Sequence, residues 1–131
     1  MNLGEHSTKS ITRYFFDTYA LIEIRKGNDA YAKYLDVSFF LTKFNLFEYH
    51  QYLLRAGREA EADEETEGFL PQVVEFGIEV IEKASRLREK HHDKNLSMTD
   101  CIGYVYAKEN SLVFVTGDRE MKDWDNAEFG T

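Results

Sequence analysis

Short apolar runs alternate along this chain with stretches of helical periodicity, and that alternation constrains the fold more than any other feature. The clearest run is Leu112-Val113-Phe114-Val115, β-branched and aromatic, the kind of segment that becomes a fully buried strand. ITRYFFD (Ile11 to Asp17) predicts another buried strand, VSFFLT (Val37 to Thr42) a further one, and AEFG a last edge strand. Strands separated by helices need crossover connections, so the pattern predicts a mainly parallel sheet flanked by helices. No repeat or linker breaks the chain, and residues 1–131 are expected to form one α/β domain behind a polar lead over residues 1–10.

The helical stretches carry their own punctuation. TYALIEIRKGN predicts a helix with Thr18 at its N-cap and Gly27-Asn28 as its stop, and DAYAKYLD a second short helix. In NLFEYHQYLLRAG, Leu46, Tyr49, His50 and Leu53 fall at i, i+3, i+4 and i+7, with Gly57 as terminator. The acidic stretch that follows is expected to continue as helix toward Pro71, and VVEF to be briefly extended. Helices are then predicted from Ile78 to about Lys90 and from about Ser97 to Asn110, with HHDKN as the loop between them. DREMKDW reads as a short helical turn.

Charge excludes one class of function. The net charge is −8, which argues against holding nucleic acid by basic surface alone. EAEADEETE, from Glu59 to Glu67, carries six acids and no base, and without it the chain would be close to neutral. That block is expected as a solvated loop or helix surface. A single cysteine, Cys101, rules out an internal disulfide and every multi-cysteine zinc motif. The apolar runs are too short to span a bilayer, and MNLGEHSTKS has no apolar core of a signal peptide, so a cytoplasmic protein without membrane contact is expected.

Four acids stand out by position. Asp17 ends RYFF and Asp118 follows VFVTG, so both leave strands at the carboxyl edge of a parallel sheet, where ligands bind in open α/β folds. Glu48 lies three residues after Asn45, and Asp100 three after Ser97, each in the first turn of a predicted helix. Singly, each has a plainer reading. Asn-x-x-Glu and Ser-x-x-Asp are capping-box spacings, Asp118 fits a turn or an N-cap, and Asp17 could cap the helix after it. Together they would gather four carboxylates at one edge, a costly arrangement unless a cation neutralises it. Oxygen ligands with no Cys or His suit Mg²⁺ or Mn²⁺ and phosphoryl chemistry.

These residues resemble those of the PIN-domain nucleases. FFDTYALIEIRKGN, NLFEYHQYLL and MTDCIGYVYAKENSLVFVTGDREM carry the likeness, which runs from Tyr14 to about Phe129. The size and order are similar to the small prokaryotic PIN proteins, many of them the toxin half of VapBC toxin–antitoxin pairs. The resemblance implies an α/β/α sandwich and a Mg²⁺- or Mn²⁺-dependent ribonuclease. It assigns Asp17, Glu48, Asp100 and Asp118 to the acidic quartet and Thr116 to the supporting hydroxyl. It further implies an RNA substrate, an antitoxin partner and a homodimer. The polar lead and the dense acidic block depart from the usual pattern.

Other candidates are weaker on their chemistry. His91 and His92 are adjacent and lack further ligands at zinc spacing, so a solvated helix end is expected there. His50 and Cys101 fall on apolar stripes and are expected in the core. Arg119 is expected at the surface, and Tyr49, Tyr52 and Tyr104 are candidates for exposed interface aromatics. A small-molecule phosphatase is disfavoured because FFDTYAL has no second acid two residues after Asp17.

Overall fold

Phe15 and Phe16 are neighbours in sequence and core residues on opposite faces of one sheet, because side chains alternate along a strand. The computed structural model of the chain describes residues 11–130; the predicted polar lead over residues 1–10 lies outside the described residues. Four strands, β1 (Tyr14–Phe16), β2 (Phe39–Phe40), β3 (Val113–Thr116) and β4 (Ala127–Phe129), pair only in parallel, in the order β2-β1-β3-β4. Phe15 is in register with Phe114, and Phe16 with Val115. Each central strand therefore supplies one large apolar side chain to each face.

Five helices cover those faces: α1 (Thr18–Arg25), α2 (Lys43–Arg55), α3 (Glu59–Gly68), α4 (Ile78–Lys90) and α5 (Met98–Glu109). Phe16 and Val115 pack with Ala20 and Leu21 of α1, Leu46, Tyr49 and Leu53 of α2, and Ala62 of α3. Phe15 and Phe114, stacked at 5.8 Å, pack with Val80 and Ala84 of α4 and Ile102 and Val105 of α5. The architecture is the expected three-layer α/β/α sandwich, and burial of these two apolar faces is its main driving force.

The predicted elements are present, with informative differences at their ends. Gly27 and Gly57, both at φ +75°, follow α1 and α2 where stops were predicted. The N-cap of α1 is Asp17 rather than Thr18, since its Oδ1 accepts a 2.8 Å hydrogen bond from Ala20 N. Helix α2 starts earlier than predicted, capped by Thr42, with Asn45 at its third position. The Thr42 N–H and hydroxyl both donate to Asn45 Oδ1 at 2.9 Å, so Asn45 completes a box that begins upstream of it. Residues 29–34 form a 3₁₀ turn rather than an α-helix.

The acidic block is α3. Glu59 and Glu61 occupy its first turn, where negative charge suits the helix dipole, and Ala62 is buried. Glu65 accepts two bonds from Arg25, at 2.8 and 2.9 Å, and a third from Tyr49 OH at 2.7 Å. His50 is half-buried rather than in the core, its Nε2 2.7 Å from Asp63 Oδ1, because α3 packs beside that flank of α2. Tyr49 and Tyr104 are buried, not exposed, since their hydroxyls reach Glu65 and the Asp125 carbonyl. Among the described residues no helix is long and apolar enough to cross a membrane.

Candidate active site

The carboxyl edge of β1 and β3 is a single built unit. Asp17 continues the ladder past β1, its N–H donating to the Val115 carbonyl at 3.1 Å. Its side chain is 2% exposed. Oδ1 caps α1, and Oδ2 accepts from Gly117 N at 3.3 Å, across the sheet from β1 to the end of β3. Burial pushes the Asp17 carboxyl up to about 6; hydrogen bonds from Thr116, Ala20 and Gly117 oppose the shift, and the charge of Asp118 adds to it.

Asp118 emerges from β3 through Thr116 and Gly117. Its N–H donates to Thr116 Oγ1 at 3.0 Å, and its Oδ1 accepts from Glu120 N at 2.9 Å, capping the 3₁₀ turn Arg119–Met121. Thr116 is fully buried and serves both acids, bonding the Asp17 side chain and the Asp118 backbone. Gly117 has a specific reason to lack a side chain: a Cβ there would meet Tyr19 Cδ1 at 1.9 Å. The Thr-Gly step is thus set by the close approach of α1 to the end of β3.

Asp100 arrives by a different route from the other acids. No strand precedes α5 directly, as one precedes α1 and α2. Instead α5 enters β3 through a tight turn in which Leu112 N donates to the Ala107 carbonyl at 2.8 Å. The helix therefore runs back along the sheet, and its N-terminus returns to the carboxyl edge. Ser97 Oγ accepts from Asp100 N at 3.0 Å, the predicted cap. Burial pushes the Asp100 carboxyl up to about 7, reinforced by the charges of Asp17, Asp118 and Glu48 and opposed by a hydrogen bond from Ser97.

Glu48 is held by a chain of hydrogen bonds that sequence reasoning missed. It sits a turn deeper in α2 than the capping box would put it. Thr42 donates to Asn45 Oδ1, Asn45 Nδ2 donates to Thr18 Oγ1 at 3.1 Å, and Thr18 Oγ1 donates to Glu48 Oε1 at 2.5 Å. Sequence pattern marks Thr18 and Asn45 only as caps. The available signal was the pairing of a polar Asn with an otherwise apolar helix face, since Asn45 is 1% exposed.

All four predicted acids thus come to one edge, and the cap readings hold for three of them: Asp17 and Asp118 are themselves N-caps and Ser97 caps the helix of Asp100, whereas Glu48 lies outside the box that Thr42 and Asn45 form. Each of the four falls outside the ion pairs formed among the described residues. Among those residues, no three His, Cys, Asp or Glu side chains are drawn together as a formed ion-binding group. The donor chemistry nonetheless fits a hard divalent cation: carboxylate oxygens only, mutually repelling, two of them with raised affinity for protons. A separate cavity of about 730 Å³, lined by Phe44, Ile81, Arg88, Leu96, Met98 and Ile102, includes none of the four.

A parallel four-stranded sheet flanked by helices, with acids gathered at its carboxyl edge, defines a class of three-layer α/β domain. Residues 14–127 match the PIN domain family model, and the chain belongs to the PIN-domain family, whose members are typically metal-dependent nucleases. Two solved structures are similar in fold. A toxin–antitoxin complex from Klebsiella pneumoniae aligns with TM-score 0.70 and 16% identity, over 90% of this chain and 98% of that one. VapBC2 from Rickettsia felis, bound to a DNA fragment from their promoter, aligns with TM-score 0.68 and 17% identity, again over 90% and 98%. No curated protein matches the chain. At these identities the likeness is one of fold.

Proposed function

We propose that the chain is a Mg²⁺- or Mn²⁺-dependent endoribonuclease that hydrolyses RNA phosphodiesters and serves as the toxin of a toxin–antitoxin pair. The observation that carries the nuclease reading is the convergence of Asp17, Asp100, Asp118 and Glu48, two of them pushed toward the neutral range and none in an ion pair among the described residues. Asp17, Asp100 and Asp118 would hold the inner cation, and Glu48 a second cation or a water. When bound, such a cation supplies charge neutralisation and an activated water for attack at phosphorus. The chain's own contribution is orientation. Thr116 and the Gly117 N–H fix Asp17, while Thr18 fixes the oxygen of Glu48 that it touches.

The toxin reading is supported by the fold likeness to the Klebsiella and Rickettsia complexes. A partner protein covering a cytoplasmic nuclease of this kind would be its antitoxin, and a second copy of the chain its homodimer mate. Incubation of the full chain with structured RNAs and Mn²⁺ tests the activity. Metal-dependent cleavage that Asp17→Asn and Asp118→Asn each abolish supports it. Turnover of phosphomonoesters with no RNA cleavage would replace it with a phosphatase. A short gene directly upstream, encoding a DNA-binding protein that co-purifies with the chain, separates a toxin from an RNA-processing nuclease.

A further inference from the structure

Tyr19 follows Asp17 by two residues and stands beside the same cluster. Its ring rests on Gly117, the residue between Thr116 and Asp118: a Cβ at Gly117 would fall 1.9, 2.3 and 2.5 Å from Cδ1, Cε1 and Cγ of that ring. Gly117 is also the residue whose N–H holds Asp17. On a second side the ring packs on Tyr31, with centroids 6.4 Å apart and planes inclined at 51°. Tyr31 is itself buried, so the support is fixed. Pinned at both places, Tyr19 is still 48% exposed. A large aromatic held in one position and left half in solvent has surrendered most of its freedom before any ligand arrives.

The electrostatics of this edge limit what can hold a nucleic acid there. Four carboxylates repel a phosphate backbone, and none has a Lys or Arg paired to it among the described residues. Contact with a base face is indifferent to that charge. The basic side chains that follow Asp118 in sequence, Arg119 and Lys122, lie over the Phe129 ring at 5.9 and 5.6 Å, beyond the end of β3 on the side of β4. Tyr19 belongs to α1. A strand crossing the acids would thus meet aromatic support at Tyr19 and positive charge at Arg119 and Lys122.

We infer that Tyr19 is a substrate-binding residue whose exposed face stacks on the nucleobase flanking the phosphate presented to the acids. The inference rests on the RNA-cleavage reading above. A base can lie on Tyr19 only when it is free of its own stack, so the contact needs an unpaired nucleotide at that one position.

The test uses the full chain with Mn²⁺ and a short unpaired RNA that it cleaves. KM and kcat are measured for wild type, Tyr19→Phe, Tyr19→Leu and Tyr19→Ala, each on intact RNA and on RNA abasic at the position flanking the cut. Loss of one stack raises KM between about five- and 150-fold in the Leu and Ala variants, with kcat little changed, and Phe restores the wild-type value. The abasic substrate costs wild type a similar factor and costs Tyr19→Ala nothing further. 2-Aminopurine at the same position is quenched by wild type and not by Tyr19→Ala. An equal abasic penalty in wild type and Tyr19→Ala, or an unchanged KM in Tyr19→Leu, overturns the assignment while leaving the nuclease reading intact. Circular dichroism identifies a variant that fails to fold, in which case Tyr19→Leu, which still fills the space over Gly117, decides. If wild type cleaves no RNA, the nuclease reading and this inference fall together.

Discussion

Thr18 Oγ1 donates a 2.5 Å hydrogen bond to Glu48 Oε1, joining the first turn of α1 to the second turn of α2 across 30 residues of sequence. Thr18 follows the acid that caps its helix, and Glu48 is half-buried. The bond fixes which oxygen of Glu48 is spent on the protein and which is left for a ligand.

Thr18→Val keeps the shape of the side chain and deletes this bond. The expected result is a folded protein whose cleavage rate falls by about 10- to 100-fold, the usual cost of losing a partner that orients a ligating carboxylate. Thermal melting should move little beside that loss. A rate equal to wild type under single-turnover conditions would show that Thr18 does not orient Glu48.

Asn45→Ala strikes the same relay from the fold side. It leaves the buried Thr42 N–H and hydroxyl without their acceptor and Thr18 without a donor. Destabilisation of about 1–3 kcal/mol is expected, read from urea unfolding. A change below about 0.5 kcal/mol would mean that water takes over these bonds.

The metal-free protein should lose stability as pH rises. Asp17 and Asp100 have their carboxyls pushed up from 3.8 to about 6 and about 7, so the folded chain prefers both protonated. Their favourable contribution is complete below about pH 4. It is lost as pH climbs through the folded values near 6 and 7. A cation that binds the ionised pair reverses the trend, so Mn²⁺ should raise the melting temperature by several degrees at pH 8 and by much less at pH 5. Equal shifts at both pH values would count against carboxylate ligation.

Asp100→Asn removes one of the repelling charges. At pH 8 without metal it should melt higher than wild type, because ionisation of Asp100 then opposes folding. The same variant should lose cleavage and most of the Mn²⁺-induced shift. Gain of stability with loss of function in one substitution is the pattern expected of a site kept at a cost to the fold.

Gly117→Ala tests the packing under Tyr19. The new methyl would fall 1.9 Å from Tyr19 Cδ1, so the ring must leave or the end of β3 must move. An overpacking cost of about 1–3 kcal/mol is expected, measured by thermal or denaturant unfolding. Pairing it with Tyr19→Ala should recover most of that loss, and failure to recover it would place the strain elsewhere.

Much of the fold was legible because its signals are local. Helix α4 has the predicted bounds, α5 begins at the predicted Ser97 cap, and β3 (Val113–Thr116) falls one residue on from the predicted run Leu112–Val115. Local pattern misleads where a residue's partner is distant in sequence. The spacing of Asn45 to Glu48 fits a cap, yet Thr42 occupies that position and Asn45 is the third residue of the helix. His50 shares a stripe with Leu46, Tyr49 and Leu53, but α3 arrives with Asp63 and draws it to the surface. Tyr49 and Tyr104 carry polar hydroxyls and look suited to an interface until buried acceptors are found for them.

The sequence by itself determined the alternation of strands and helices, and hence a parallel sheet with Asp17 and Asp118 at its carboxyl edge, because strand period and chain direction are local properties. It could also name Glu48 and Asp100 as companions. Only the tertiary structure decided how those acids are held: Thr116 and Gly117 reaching Asp17 from another strand, α5 doubling back to deliver Asp100, and Thr18 and Asn45 fixing Glu48. The same close approach of α1 to β3 pins Tyr19 beside the cluster. Such contacts depend on groups 27 to 100 residues apart meeting in one place, and no local pattern encodes that meeting.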